Sequence, residues 1–311
     1  MSGEKIAILA TGGTIAGTSA VPGDNLGYVA AQLGVEDLLA CVPPVPGRPL
    51  VSEQVAQLDS KDMTFETWRH LAQRCSHWLS QPDVAGLVIT HGTDTLEETA
   101  FFLQSVLAPA KPVVLTCAMR PATALAPDGP QNLRDAIAVA ASRGARGVVA
   151  VCAGTIHGAH DVSKRHPYRL DAFSSGDAGP IGYVEEGRLR LVRAWPESAG
   201  EPGTALRKFV QAQRWPRVEI VLSHAGAGGA IVQALVERGV EGIVVAGSGN
   251  GSVHRELDEA LRTAREAGVK VVRSTRCAEG EVLSRPGDVL PHAAGLSPVK
   301  ARIALMLSLL D

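Results

Sequence analysis

The chain has 311 residues, enough for two ordinary domains or one large one. It is 45% hydrophobic and 20% charged, so it can bury a substantial core. A formal net charge of −2, with no long basic run, gives no electrostatic support to a nucleic-acid or membrane-surface role.

Only 4% of the residues are aromatic, so the core is expected to be Val, Leu, Ile and Ala, which suits buried parallel strands. Met1 to Lys5 lead straight into Ile6–Ala10, an apolar stretch too short for the core of a secretion signal. No run reaches the ~18 apolar residues of a membrane span. The five cysteines form no CxxC pair, a pattern that implies neither a metal nor a redox centre. A cytoplasmic protein is the expectation, with Cys117 and Cys152 as buried small hydrophobes.

Short apolar runs alternate with amphipathic segments along the first part of the chain. Ile6–Ala10, Ala85–Thr90, Pro112–Cys117 and Gly147–Cys152 read as strands. Thr64–Ser80 reads as a helix with Phe65, Trp68, Leu71, Ala72, Cys75 and Leu79 on one face. Thr95–Leu107 and Gln131–Ser142 are two more helices. This rhythm implies an α/β fold, with a larger N-terminal domain built on an open, mixed or mostly parallel sheet flanked by helices. Ile181–Val184 and Leu189–Val192 read as a β-hairpin joined through Glu185-Glu186-Gly187-Arg188, closing a domain over residues 1–193.

Residues 194–216, with Pro196, Gly200, Pro202, Gly203 and Pro216, read as a linker holding one short helix. The rhythm resumes over 217–311 as a smaller α/β domain with a parallel sheet. Its expected strands are Val218–Leu222, Gly242–Val245 and Val269–Val272, and its expected helices Gly229–Arg238 and Val253–Ala267. A last helix opens at Ser297-Pro298, an N-cap followed by proline, and turns Val299, Ile303, Met306 and Leu310 inward.

Two turns carry the candidate chemistry. Thr11-Gly12-Gly13-Thr14 follows the first strand, where ligands bind in open α/β sheets, and paired glycines allow close backbone approach. The same pattern serves a plain tight turn, and it lacks the GxGxxG of a dinucleotide site. His91-Gly92-Thr93-Asp94-Thr95 follows another strand, and Thr95-Leu96-Glu97-Glu98 has the form of a capping box. That spacing puts Thr93 and Asp94 at a helix N-terminus, where N–H groups suit a carboxylate or an oxyanion, although Asp94 or Thr95 can equally be a plain cap. His91 reads as structural. Two hydroxyls and a carboxylate suit acyl transfer, provided something takes the nucleophile's proton.

Taken together, these turns resemble the bacterial-type L-asparaginase family, and its periplasmic-type branch in particular. The matching stretches are Ile8–Gly17, Val88–Ala100, Ala118-Met119-Arg120-Pro121 with Asp128-Gly129-Pro130, Asp161-Val162-Ser163-Lys164, Gly247–Gly251 and Val271–Ser274. The resemblance covers nearly the whole chain. It implies an L-asparagine amidohydrolase with Thr14 as nucleophile and Tyr28 closing over the substrate. Thr93, Asp94 and Lys164 would form a relay, and Lys164 is a role that spacing alone does not reveal. Ser60 would hold the substrate α-carboxylate, Asp94 its ammonium, the Ala118 carbonyl its side-chain amide, and the Thr93 N–H the oxyanion. No cofactor or metal is implied. The implied assembly is a homotetramer of intimate dimers with small-molecule substrates, and without nucleic-acid or membrane partners.

The chain departs from that family at Lys61, where glutamine usually meets the substrate ammonium. Lys61 must swing away, or turn to the α-carboxylate. An acidic group that a neighbouring subunit usually supplies also lacks a secure counterpart, since Cys277–Ala294 looks shortened and neither Glu279 nor Glu281 aligns with it. These departures imply a raised Michaelis constant or narrowed substrate range, with weak L-glutamine hydrolysis. The alternatives are a glutaminase-asparaginase of broader specificity, a transfer-RNA-linked amidotransferase subunit, and a catalytically weak amino-acid-binding homologue. A nucleotide site is disfavoured, because Gly247–Gly251 lacks a phosphate-binding lysine.

Overall fold

In the computed structural model, which describes residues 4–21, 23–43, 48–196 and 203–310, the first apolar run becomes strand β1 (Lys5–Gly12), buried from Ile6 onward. Helix α1 (Val35–Ala40) and strand β2 (Leu50–Leu58) follow. Neither is foreseen by the apolar pattern. β2 is an edge strand whose polar side chains find local partners: Glu53 accepts from Arg74 Nε at 2.6 Å and Trp78 Nε1 at 2.7 Å. Gln54 accepts from the Val35 N–H at 3.0 Å. An edge strand anchored in this way needs no continuous apolar run.

Helix α2 (Phe65–Leu79), strand β3 (Val84–Thr90), helix α3 (Leu96–Leu107), strand β4 (Pro112–Thr116), helix α4 (Gly129–Ala140) and strand β5 (Gly147–Cys152) fall within two residues of the expected bounds. α4 starts earlier than expected because Pro130 is accommodated in its first turn, where a missing N–H costs nothing. The chain continues through β6 (Thr155–Gly158), a short pair β7 (Ser163–Lys164) and β8 (Phe173–Ser174), and the hairpin β9 (Gly182–Glu185) and β10 (Arg188–Leu191). The hairpin turns at Glu186 and Gly187, with φ of 49° and 74°, the paired positive values that a tight two-residue turn requires.

These strands form one eight-stranded sheet in the order β10-β9-β6-β5-β4-β3-β1-β2, with β7 and β8 apart from it. β2 through β5 run parallel to β1, and β6, β9 and β10 continue antiparallel. α1 and α4 pack with Ile6, Ile8, Val88, Val114 and Val149 on one face. α2 and α3 cover the other, where Trp68 stacks on Phe102 with ring centroids 4.6 Å apart. The Trp68 indole also donates to the buried Thr99 hydroxyl at 2.9 Å.

The chain divides into two compact units, Met1–Leu206 and Arg207–Asp311. The boundary falls inside helix α5 (Thr204–Gln211), the short helix expected between the two sheets. Gly200 and Pro202 of the expected linker lie outside the described residues, as does Met1. The second unit holds β11 (Val218–Leu222), α6 (Ala230–Glu237), β12 (Gly242–Gly247), α7 (Arg255–Glu266), β13 (Lys270–Thr275) and α8 (Pro298–Ser308). Its three strands are all parallel, in the order β11-β12-β13. α8 does begin after Ser297, but the Ser297 side chain makes no capping bond. Ile303 and Met306 are buried as expected, while Val299 is half-buried.

Phe102 is fully buried under Trp68. Phe102→Ala is expected to cost about 3–5 kcal/mol through lost transfer energy and the cavity left behind. Urea unfolding followed by tryptophan fluorescence measures it.

Candidate active site

β1 pairs with β2 on one side and β3 on the other, so the strand order reverses there. Such a switch point opens a crevice beyond the carboxyl ends of the strands. Thr14 follows β1, Thr93 follows β3, Ser60 follows β2 and Ala118 follows β4. The candidate residues therefore sit at the same end of neighbouring parallel strands.

Two glycines bring the threonine turns into contact. Gly13 has φ of 82°, and a Cβ there would lie 2.4 Å from the Cα and N of Gly92. Gly92 is packed in turn against Ser60, whose Oγ would lie 2.5 Å from a Cβ at Gly92. The Thr11 hydroxyl adds a bond to the Thr90 carbonyl at 2.9 Å, tying the two strand ends together. No side chain fits at either glycine, so the main chains touch and Thr14 and Thr93 stand on adjoining turns.

Thr14 is buried, and its Oγ1 lies 2.7 Å from the Tyr28 hydroxyl. Tyr28 sits at the base of a loop closed by main-chain bonds between Thr18 and Val29, of 3.0 and 2.8 Å. Its ring packs at Gly17, where a Cβ would approach the ring to 2.8 Å. Asp24 accepts from the Leu26 and Gly27 N–H groups at 2.8 Å each and shapes the tip of the loop.

Thr93 is also buried, and its Oγ1 accepts from Lys164 Nζ at 2.8 Å. The same ammonium donates to Asp94 Oδ1 at 2.7 Å. The Lys164 side chain is 19% exposed and that of Asp94 51%, so one end of the pair is sheltered and the other faces solvent. Ser60 Oγ accepts from the Asp94 N–H at 3.2 Å, leaving the Ser60 hydroxyl hydrogen free to donate. The Thr95 side chain does not cap α3; its hydroxyl donates to the Ser60 carbonyl at 2.8 Å instead. The expected capping box is thus replaced by a tie that holds the Ser60 turn against the helix start.

Ala118 is buried just after β4. Its turn is held by Asp128, which accepts from the Met119 and Arg120 N–H groups at 3.0 Å each, and by Asn132, which donates to the Cys117 carbonyl at 2.9 Å. Lys61 is placed otherwise. Its ammonium lies 2.5 Å from Asp59 and 3.7 Å from Asp62, and its side chain is 61% exposed. Asp59 beside it raises the Lys61 pKa. Glu279 and Glu281 are exposed in a segment without helix or strand.

Sequence reasoning missed Glu97, whose carboxylate accepts the Lys164 main-chain N–H at 3.0 Å. The two residues are far apart in the chain, and no local spacing announces the contact. A separate cavity of about 490 Å³ in the same unit is walled by Phe101, His160, Asp161, Arg193 and Trp195, and none of the threonine-turn residues lines it. Among the described residues, no group of three or more His, Cys, Asp or Glu is placed to hold a metal ion.

His91 is fully buried behind the second turn, with Nδ1 2.7 Å from the Gly92 carbonyl. A carbonyl only accepts, so Nδ1 carries a proton. Burial pushes its pKa down to about 4. His157 on β6 is likewise pushed down to about 4 by burial, with its Nδ1 2.8 Å from Ser175 Oγ.

The glycine contact and the buried histidines each bear on stability. Gly144 has the same φ of 82° as Gly13, but a Cβ added there would meet nothing within 4 Å. Gly144→Ala is therefore expected to cost about 1–2 kcal/mol from the backbone alone. Gly13→Ala is expected to cost about 1–3 kcal/mol more, because the clash is with main chain that has nowhere to go. Denaturant midpoints of the two variants measure how much more Gly13, with its ψ of −172° and its packing on Gly92, resists a side chain than an open positive-φ glycine does. The histidines make stability depend on pH. In the unfolded chain both titrate near the ordinary value of ~6.5, so below it the unfolded state binds protons that the fold refuses. Stability is full above that value and falls as pH drops toward 4, by about 2 kcal/mol per histidine at pH 5. Unfolding at pH 7 and 5 measures the loss, and His157→Gln is expected to remove about half of it.

Comparison with known proteins gives the family. Residues 5–197 match the family described as Asparaginase, N-terminal, and residues 217–311 match the Glutaminase/Asparaginase C-terminal domain. The glutaminase-asparaginase of Pseudomonas fluorescens biotype A is 38% identical over 316 residues, spanning 98% of this chain and 86% of that protein. L-asparaginase 2 of Escherichia coli (strain K12) is 38% identical over 317 residues, spanning 98% of this chain and 88% of its own. The crystal structure of a probable cytoplasmic L-asparaginase from Campylobacter jejuni has a TM-score of 0.91 and 38% identity, covering 98% of this chain and 95% of that one. With both of its sheets matched and nearly its whole length aligned, this chain belongs to the asparaginase family of amidohydrolases.

Proposed function

We propose that the protein hydrolyses L-asparagine to L-aspartate and ammonia, with Thr14 as the nucleophile. The observation that carries this reading is the contact of the two threonine turns through Gly13 and Gly92, with Lys164 and Asp94 behind the second hydroxyl. Two hydroxyls on touching turns suit attack on one carbon and assistance to its leaving group. A site for mere binding has no use for that pairing.

In this reading Thr14 Oγ attacks the side-chain amide carbon and its proton leaves through the hydrogen bond to Tyr28. The tetrahedral oxyanion is met by the Thr93 N–H, a donor of a kind worth about 3–4 kcal/mol. The amide nitrogen takes up the proton that Thr14 released, relayed through the Tyr28 hydroxyl, the C–N bond breaks, and ammonia departs, leaving an aspartyl ester on Thr14. Water, oriented by Thr93 and Lys164, then hydrolyses the ester. Ser60 takes the substrate α-carboxylate, Asp94 its ammonium and the Ala118 carbonyl its amide N–H. Lys61, paired with Asp59, stays at the rim. The same reading carries a cytoplasmic protein, supported by the likeness to the Campylobacter jejuni protein called cytoplasmic, and a homotetramer of intimate dimers, which the family resemblance implies.

A ligand longer by one methylene is rejected by only about 1–3 kcal/mol. L-glutamine is therefore expected to be hydrolysed weakly rather than refused. Ammonia release from L-asparagine, L-glutamine and D-asparagine is the test. Thr14→Ala is expected to lower kcat on L-asparagine by roughly 10⁴-fold or more, the scale set by removing a nucleophile. Undiminished turnover by that variant would overturn the nucleophile, and equal kcat/KM on the two L-amides would favour a glutaminase-asparaginase of broader range.

A further inference from the structure

Lys164 lies on β7, a strand of only two residues whose partner is the equally short β8. So little sheet cannot by itself fix the direction of a long side chain. The Arg165 N–H bonds to Ala172 at 2.7 Å on the β8 side. Successive N–H groups of a strand alternate in direction, so that of Lys164 faces the other way. There it meets Glu97 Oε2 at 3.0 Å.

Glu97 stands in the first turn of α3, three residues after Asp94. The start of α3 therefore grips the lysine at both ends: Glu97, in the first turn, takes its main-chain N–H, and Asp94, just before the N-cap Thr95, takes its ammonium at 2.7 Å. With root and tip both fixed to one rigid helix start, the ammonium is held at its 2.8 Å bond to Thr93 Oγ1. An acidic residue in a first helical turn also has an ordinary use, stabilising the helix dipole. The dipole needs no bond to a strand 67 residues away.

We propose that Glu97 is a positioning residue for the reaction, holding the Lys164 backbone so that its ammonium reaches Thr93. This rests on the asparaginase reading above. Glu97 itself touches neither substrate nor reacting atoms. What the site needs from it is an acceptor oxygen and not a charge.

The test uses the full-length protein in four variants: Glu97→Ala, Glu97→Gln, Lys164→Ala and the double variant E97A/K164A. Three quantities are read: kcat and KM on L-asparagine, and the hydrogen-exchange rate of the Lys164 amide. Glu97→Ala is expected to lower kcat roughly 10–100-fold through loss of alignment, with KM changed by less than about threefold. It is also expected to speed exchange at Lys164 by at least about tenfold. Glu97→Gln keeps a carbonyl oxygen at that place and is expected to restore both. On the Lys164→Ala background, loss of Glu97 is expected to change kcat by less than about twofold, because the group it positions is gone. Wild-type kcat and unaltered exchange in Glu97→Ala would overturn the proposal. So would a Glu97→Ala loss that multiplies in full on the Lys164→Ala background, which marks a merely structural role. If the wild-type chain released no ammonia from L-asparagine, the asparaginase reading would fall on its own, and the exchange rates would still decide whether Glu97 clamps Lys164.

Discussion

The site depends on a contact between two main chains that have no side chain between them. Gly13 lies so close to Gly92 that a methyl on it would overlap the Gly92 main chain, and a methyl on Gly92 would overlap Ser60 on its other side. The topology makes this contact possible. β2 and β3 flank β1 on opposite sides, so the loops leaving β1 and β3 diverge from a shared edge and leave a crevice between them. Glycines then bring the loops back together at one point. The result is a pair of hydroxyl-bearing turns whose spacing is set by main-chain packing, the least adjustable contact a fold offers.

The two threonines, though adjacent, are held differently. Thr93 accepts from a lysine that is itself fixed by Asp94 and Glu97, so its hydroxyl belongs to a charged and cross-linked network on a helix start. Thr14 bonds to one phenol, carried on a loop that closes through the Thr18–Val29 pair. The first arrangement is built to stay in place. The second can be broken and remade without disturbing the sheet. A nucleophile that must change partners during a reaction suits the second position, and a group that must hold its geometry suits the first.

The sequence shows the frame of this site better than its details. β1, β3, β4 and β5 are buried on both faces, so they appear as apolar runs, and the helices between them show one-sided periodicity. β2 escapes notice because it is an edge strand whose Glu53 and Gln54 are spent on local bonds. β6 is short and carries a buried histidine, which breaks its apolar run. Thr14 and Thr93 are visible as hydroxyls on glycine turns after strands. Lys164 and Tyr28 are not visible in this way. Lys164 reaches the site from 70 residues away and Tyr28 through a loop without strong local pattern, so only likeness to a family points to them. Thr95 shows the opposite error. Its spacing fits a capping box, yet tertiary contact wins, and the hydroxyl turns to the Ser60 carbonyl.

Lys61 stands where the family resemblance implies a glutamine, and the local charges show how a lysine can be accommodated there. A free ammonium beside a site for an amino acid would repel the α-ammonium of the proposed substrate. Here the Lys61 ammonium lies between Asp59 and Asp62, so residues 59–62 carry two negative charges and one positive. The segment as a whole is thus acidic, and the lysine is drawn outward to a largely exposed position where solvent screens it. Ser60 remains buried beside it, aimed by the Asp94 N–H and the Thr95 hydroxyl and not by its neighbour in sequence. The charge at position 61 can therefore vary without moving Ser60, because the two are held by different parts of the fold.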